Sequence, residues 1–259
     1  SCGNGHCCLL FPCQGKVKCW GRGSNGELMS GTTNDIAKAI DFGGSYYPIE
    51  IFRSACHLCT CARMQTGDIK CWGHNNYGQL GYGDTLNRGD TESTMGDDLP
   101  VVDMGTNYVT SLSCSRDTRC ALLDNNKVVC WGKNTVGETG TGTNALVLSP
   151  GQYVLLGSTP RINKLKSSSG GTYAIFSDGT FKCWGDNYYG QLGYGDTVRR
   201  GNTAISMGDN LPFVSLEVPV VDLEIFYLYG GTCFLVSDGR IKCWGKNTDG
   251  TLGQGTSTS

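Results

Sequence analysis

Cys71–Thr85 reads CWGHNNYGQLGYGDT, and Cys183–Thr197 reads CWGDNYYGQLGYGDT, almost the same words 112 residues later. The opening tripeptide Cys-Trp-Gly also stands at Cys19, Cys130 and Cys243, so five copies follow one another at intervals of 52, 59, 53 and 60 residues. Self-similarity at a fixed period marks an array of structural repeats, in which neighbours bury one another's apolar faces. Before each tripeptide comes an apolar run, a turn and a short strand. In the fifth copy Cys233–Val236 and Arg240–Trp244 flank Ser237-Asp238-Gly239, and the fourth copy repeats the turn as Ser177-Asp178-Gly179. Glycine at such a turn takes the left-handed backbone that closes a hairpin.

Further β-prone runs lie between the hairpins: Pro48–Phe52, Leu99–Met104 and Val218–Leu223. With them each unit reaches about four strands, the number in a propeller blade. One Trp per unit at a fixed place reads as an aromatic packed between neighbouring units. The loop Asn-x-x-Gly-Gln-Leu-Gly, at Asn75–Gly81 and Asn187–Gly193, supplies amide hydrogen bonds, backbone freedom and one inward Leu. Only Asn34–Ile40 offers even a short helical pattern. The expected fold is therefore all-β, a propeller-type array of five units within a single repeat domain over residues 1–259.

Composition fits this reading. The 259 residues are 39% hydrophobic and 17% charged, with 39 glycines against 7 prolines, which suits short strands joined by tight turns. A formal net charge of −2 leaves no basic field for a phosphate backbone or an anionic membrane, so nucleic acid is not an expected partner. No apolar run is long enough to span a bilayer, and the first residues lack the pattern of a signal peptide. A soluble chain, processed or part of a longer polypeptide or assembly, is expected.

At the two quoted stretches the sequence resembles the regulator-of-chromosome-condensation repeat, whose pattern carries Trp-Gly, then Asn-x-x-Gly-Gln-Leu-Gly and often Gly-Asp. The resemblance implies four-stranded blades around a central axis, usually seven in a closed ring. It also implies a rigid disc that binds proteins, since members include a chromatin-bound nucleotide exchange factor, a plant ultraviolet photoreceptor and a bacterial inhibitor of β-lactamase. Function does not follow from such a fold. Five units depart from seven. Either the ring is smaller, or the chain is a fragment, or open blades are completed by another copy or stack into a fibre through exposed edges.

Units two and four share an insertion, Gly81–Pro100 against Gly193–Pro212, that units one and three lack. The period is thus near 112 residues, a cassette of one short-loop and one long-loop blade. Long loops that project on one face are where repeat proteins place binding surfaces. Asp84, Arg88, Asp90, Asp97, Asp196, Arg200 and Asp209 are the candidate interaction residues on them. Arg88-Gly89-Asp90 spells an integrin-recognition tripeptide, but its counterpart is Arg200-Gly201-Asn202, which reads as a loop sequence. The loop carboxylates do not follow a calcium-binding spacing.

Fifteen cysteines without zinc-type pairing point to an oxidising compartment. Cysteines ten apart flank three hairpins, Cys61/Cys71, Cys120/Cys130 and Cys233/Cys243, and facing positions on such a hairpin are close enough for a disulfide. Unit one offers Cys8/Cys19, or Cys13 in place of Cys8. In unit four Tyr173 stands where the partner of Cys183 belongs, leaving Cys183 as the candidate for a free thiol or a bond to another chain. Cys2, Cys7, Cys56, Cys59 and Cys114 lie just upstream and suit a second set of bridges. The cluster Cys56-His57-Leu58-Cys59-Thr60-Cys61 has the ligand types of a zinc site, against which a second set of bridges is the plainer reading.

His6, His57 and His74 are the only histidines, and none lies in a nucleophile, metalloprotease or phosphate-loop motif. The expectation is a protein that is not an enzyme and uses no cofactor: an extracellular or otherwise extracytoplasmic scaffold binding protein or glycan partners through its blade loops. Two alternatives stand beside it. One is a structural subunit of an extracellular assembly or filament made of copies of the chain. The other is an intracellular exchange-factor-like regulator of a small GTPase.

Overall fold

A computed structural model describes residues 5–30, 38–40, 42–44, 46–52, 58–167, 170–214, 216–226, 230–253 and 255. Five antiparallel sheets follow one another along the chain, each with its strands in sequence order. The first holds β1 (His6–Phe11), β2 (Lys16–Gly21) and β3 (Lys38–Ile40), and the second β4 (Pro48–Ile51), β5 (Cys59–Met64) and β6 (Ile69–Gly73). The third holds β7 (Val109–Cys114), β8 (Thr118–Leu123) and β9 (Val128–Gly132), and the fourth β10 (Ile162–Ser167), β11 (Gly171–Phe176) and β12 (Phe181–Gly185). The fifth holds β13 (Val220–Phe226), β14 (Gly231–Val236) and β15 (Ile241–Gly245). Among the described residues the remaining regular structure is five three-residue 3₁₀ turns, and no helix is long and apolar enough to cross a membrane.

The central hairpin of every sheet ends on its Cys-Trp-Gly. The helical pattern over Asn34–Ile40 did not become a helix: Lys38–Ile40 is β3, paired to β2 with Val17 opposite Ile40, and 34–37 lie outside the described residues. The fourth strand of each blade is also more broken than the apolar runs suggest. In the second, third and fourth sheets it shrinks to isolated bridges, Gly73 to Arg88, Gly132 to Val147 with Val129 to Tyr153, and Gly185 to Arg200. Beyond these, Val102, Val154 and Val214 each donate one bond to the hairpin's second strand. Pro100, Pro150 and Pro212 interrupt these edges, and a residue without an N–H cannot extend a ladder. β3, without a proline, pairs over three residues.

Four apolar cores lie between successive sheets. Alternation along a strand explains how one strand serves two of them. On β9, Val129 and Trp131 join Ile69, Leu80 and Val102 of the second blade, while Val128 and Cys130 join Ile162, Phe176 and Trp184 of the fourth. β8 and β11 are therefore buried along their whole length and show no polar alternation. The Trp of each blade marks the seam. Trp72 Nε1 donates to Glu27 O at 3.0 Å, Trp131 to Gln79 O at 3.1 Å, Trp184 to Glu138 O at 3.1 Å and Trp244 to Gln191 O at 3.1 Å. Each acceptor lies in the loop that follows the preceding blade.

Those loops turn through a residue just after the acceptor that must clear the incoming indole. At Gly81 (φ +86°) a Cβ would stand 2.8 Å from Trp131 Nε1 and 2.9 Å from Val102 Cγ1, whereas Gly83 (φ +83°) faces open space. Replacing Gly83 with Ala is expected to cost about 1 kcal/mol from the left-handed backbone alone. Gly81→Ala adds an overpacked seam and is expected to cost at least about 2 kcal/mol more. Urea unfolding of the two variants checks the difference, and equal losses would contradict a tight indole seam.

Candidate functional site

Four of the five loops that follow the hairpins are built on one buried asparagine each, the first having Gly23 at that place. Asn75 Oδ1 accepts from Leu80 N at 2.9 Å, and its Nδ2 donates to Asp84 O and Leu86 O at 3.1 and 2.9 Å. Asn187 does the same with Leu192 N, Asp196 O and Val198 O. In the third blade Asn134 holds Thr139 N, Thr143 O and Ala145 O, and in the fifth Asn247 accepts from Leu252 N. A short amide that satisfies three backbone groups fixes a loop with no regular structure of its own. Gln79, Glu138 and Gln191 add a bond from the backbone N–H two residues earlier.

On this frame the two long loops take the same shape. Arg88 pairs with Asp84 at 2.6 Å and lies 5.2 Å from the Tyr82 ring; Arg200 pairs with Asp196 at 2.8 Å and lies 3.9 Å from the Tyr194 ring. The tyrosine hydroxyls exchange bonds with the backbone of Cys71 and Cys183, and burial pushes both phenols above their ordinary range. The Arg200 guanidinium bonded to Asp196 holds that carboxyl below the usual carboxylate range. Two buried lysines tie each long loop to the turn before its blade. Lys70 Nζ donates to Phe42 O and Gly96 O, Lys182 Nζ to Leu156 O and Gly208 O.

The seven polar residues singled out on these loops each have a contact within the loop or with a neighbouring segment, and Asp97 and Asp209 are exposed as well. Asp90 receives a long bond from Thr94 Oγ1, Asp97 packs against Gly43, and Asp209 accepts from Ser158 N at 2.9 Å. Gly89 is buried against Gly26 of the first blade, so Arg88-Gly89-Asp90 is part of a seam and is not presented as a peptide motif. Among the side chains the loops expose are three aliphatic ones: Leu86 at 66%, Val198 at 61% and Ile205 at 80%. Leu86 and Val198 hold the same place after Gly-Tyr-Gly-Asp-Thr, and that shared apolar position was the signal in the sequence.

In the hairpins, Cys8, Cys61, Cys120 and Cys233 sit directly opposite Cys19, Cys71, Cys130 and Cys243 and are bonded to them, each pair with Cα atoms 4.1 Å apart. The fourth hairpin has Tyr173 opposite Cys183. Tyr173 Oη bonds Gln191 O and Thr232 Oγ1, both at 3.0 Å, and so bridges to the fifth blade. Cys183 is a free thiol, but it is fully buried, donates to Leu192 O at 2.9 Å, and is pushed up by burial. It has no path to another chain, because the blade that follows covers it. Among the described residues the exposed free thiol is Cys13, in the turn between β1 and β2.

Cys7 is disulfide-bonded, and Cys59 and Cys114 are buried beside Arg119, whose Nη2 contacts Cys59 Sγ. Cys2, Cys56 and His57 lie outside the described residues, and no group of three metal-ligand side chains occurs among those described. His6 bonds Thr60 across the first seam, and His74 bonds Gln79 within its loop. The chemistry of this face is rigid display.

Asp196 supplies a test of the loop clamp. Its folded pKa is lowered, so its pairing stabilises fully above the unfolded carboxylate's pKa of about 3.9 and is lost as pH falls through the lower folded value. The stability difference between the parent chain and Arg200→Met is therefore expected to narrow between about pH 4 and pH 2. Chemical denaturation across that range reads it out. A difference that does not change with pH would contradict the clamp.

Three stretches, residues 57–79, 109–138 and 229–251, match the model of the regulator of chromosome condensation (RCC1) repeat. The chain is 29% identical over 267 residues to the ultraviolet-B receptor UVR8 of Arabidopsis thaliana, covering 99% of this chain and 54% of the receptor. It is 25% identical to the human E3 ubiquitin-protein ligase HERC2, over 94% of this chain and 5% of the ligase. The chain thus spans about half the length of the receptor and a small part of the ligase. Human WBSCR16 superimposes with a TM-score of 0.76 at 18% identity, over all of this chain and 63% of that one. Prp20p of Saccharomyces cerevisiae gives 0.73 at 17%, over 98% and 59%. Both share the fold. Parts of the chain thus match the regulator-of-chromosome-condensation repeat, and the whole is folded as propeller-type blades.

Proposed function

We propose that this chain is a non-catalytic interaction scaffold that works outside the cytoplasm and binds a protein partner across its two long loops. The observation that carries this reading is the pair of aliphatic tips, Leu86 and Val198, exposed at the same place on two loops that an arginine–aspartate pair holds in one conformation. Exposed apolar side chains on a rigid frame lose little conformational entropy on binding, the condition for an anchor residue. Prp20p, which shares the fold, is described by its binding to Gsp1p and histones, and propeller faces are suited to such contacts. The oxidising compartment is supported by the four hairpin disulfides, which a glutathione-reducing cytosol does not favour.

A glycan ligand has a separate place available. A cavity of about 460 Å³ beside the third blade is lined by Asp103, Thr106, Asn107, Pro150, Gly151 and Tyr153, with Asn125 bonded to Asn107 at 2.7 Å. Amides and the Asp103 carboxylate beside a half-exposed phenol ring suit sugar hydroxyls.

Two measurements test the proposal. A photo-crosslinking residue at position 86 or 198 is expected to capture a defined protein in competition with unlabelled chain, and Leu86→Asp with Val198→Asp is expected to abolish capture while leaving the unfolding midpoint unchanged. Equal capture from a residue on the opposite, hairpin-turn face would overturn the loop assignment. Thiol alkylation of the chain taken from its source without reductant is expected to find the four hairpin pairs intact. Fully reduced thiols, together with accelerated nucleotide release from a small GTPase, would instead establish the exchange-factor alternative.

A further inference from the structure

Lys70 and Lys182 each fill a berth at the foot of a seam, and the third blade has no lysine to fill its own. The two lysines stand opposite Ala62 and Ala174 in their hairpins, and Val129 stands opposite Ala121 at the same register. Lys70 reaches Phe42 O and Lys182 reaches Leu156 O. The corresponding carbonyl before the third blade, Met104 O, accepts instead from Asn107 Nδ2 at 3.3 Å and Asn107 N at 3.4 Å. The carboxylate brought by a long loop is missing as well. A Cβ on Gly43 would strike Asp97 and one on Gly157 would strike Asp209, while one on Gly105 meets nothing nearer than Asn107 Nδ2 at 4.0 Å.

The room so left is the cavity of about 460 Å³, whose lining includes Asp103, Met104, Asn107, Val129 and Tyr153. It retains groups of the kind that hold an ammonium in the two filled berths. Lys70 Nζ lies 4.1 Å from the Tyr46 ring and Lys182 Nζ 4.7 Å from the Phe213 ring. Tyr153 precedes Val154 as Phe213 precedes Val214, and both valines bond the second strand of their hairpin. Asp103 supplies a carboxylate, one oxygen of which accepts from Gly105 N at 2.8 Å. The wall adds groups that a lysine stem would not use. Tyr153 Oη accepts from Asn107 Nδ2 and Asn125 Nδ2, both at 3.4 Å, so its O–H remains a donor.

We infer that this cavity takes an amino sugar in its ammonium form, with the amine beside Asp103 and the Tyr153 ring and the sugar hydroxyls on Tyr153, Asn107 and Asn125. The inference rests on the reading of the cavity as a glycan site and names the class of glycan. A carboxylate and an aromatic ring both favour a cation, and a charge-assisted bond to Asp103 separates a free amine from its neutral N-acetylated form. A bare alkyl ammonium would answer only the charge, leaving the amides and the phenol of the wall without use. The inference is independent of the protein partner proposed for the long loops.

Isothermal titration of the full chain at about pH 6, where a sugar amine is protonated as an α-amino group is, compares the trisaccharides of glucosamine, N-acetylglucosamine and glucose. The glucosamine trimer is expected to bind at least about tenfold more tightly than the other two. Asp103→Asn is expected to remove that preference, and Val129→Lys, which restores the lysine of the neighbouring blades, to abolish binding. Asp103 is exposed, so its variant keeps the fold and carries the test if Val129→Lys does not fold. Equal affinity for the N-acetylated or the glucose trimer would overturn the amino sugar and leave the glycan site standing, whereas binding of none of the trimers would overturn both. A blocked lysine tripeptide that binds as tightly as the glucosamine trimer would overturn the sugar as occupant. Full affinity in both variants would overturn the cavity as its place.

Discussion

The hydrogen bond from each blade's indole to the carbonyl of the preceding loop is the constraint on which the rest of the molecule depends. It sets where one blade sits relative to the next, and everything around it keeps donor or acceptor in place. In the later seams a buried asparagine fixes the loop that carries the carbonyl and a glycine with positive φ clears room for the ring, whereas in the first Met29 takes the left-handed backbone. Behind the tryptophan, the cross-hairpin cysteine pair ties together the two strands that present it. A net contribution of about 1 kcal/mol for one such bond is small beside the burial of the indole itself. Its value is in direction, because an apolar face alone would let neighbouring sheets slide.

The alternation of short and long loops is built onto this seam without disturbing it. Lys70 and Lys182 lie two residues before their tryptophans and reach carbonyls of both the preceding turn and their own long loop. Burial lowers the pKa of Lys182, and the charge of Asp209 opposes that shift. The ammonium is held by carbonyl dipoles with a carboxylate nearby, an arrangement that fastens a loop of some twenty residues at its middle. The loop so fastened leaves aliphatic side chains exposed beside its threonines and carboxylates.

Much of the fold was legible because a repeat reports itself. Cys-Trp-Gly, the hairpin turns and the Asn-x-x-Gly-x-Leu loop together specify blades, and each hairpin lies where its turn residues put it. What was illegible depends on contacts between units. Leu99–Met104 has strand composition, yet its edge position and Pro100 leave it a single bond to the sheet. Asp84 and Arg88 look like surface charges in the sequence, and only the folded loop brings Tyr82 and Asn75 against them. Cys183 lacks a cysteine partner, but whether such a thiol meets solvent or a neighbouring blade is decided by stacking. Leu86 and Val198 were visible as letters, whereas their exposure follows from the folded course of the loop.

The most direct measurement is equilibrium unfolding of five Trp→Phe variants in protein dilute enough to be monomeric. Phenylalanine keeps most of the ring and removes only the indole N–H and some bulk. At Trp72, Trp131, Trp184 and Trp244 the change is expected to cost at least about 1 kcal/mol each, and at Trp20 less than about 0.5 kcal/mol. Five equal losses, or none at the four buried seams, would contradict a fold set by indole-to-carbonyl bonding between blades.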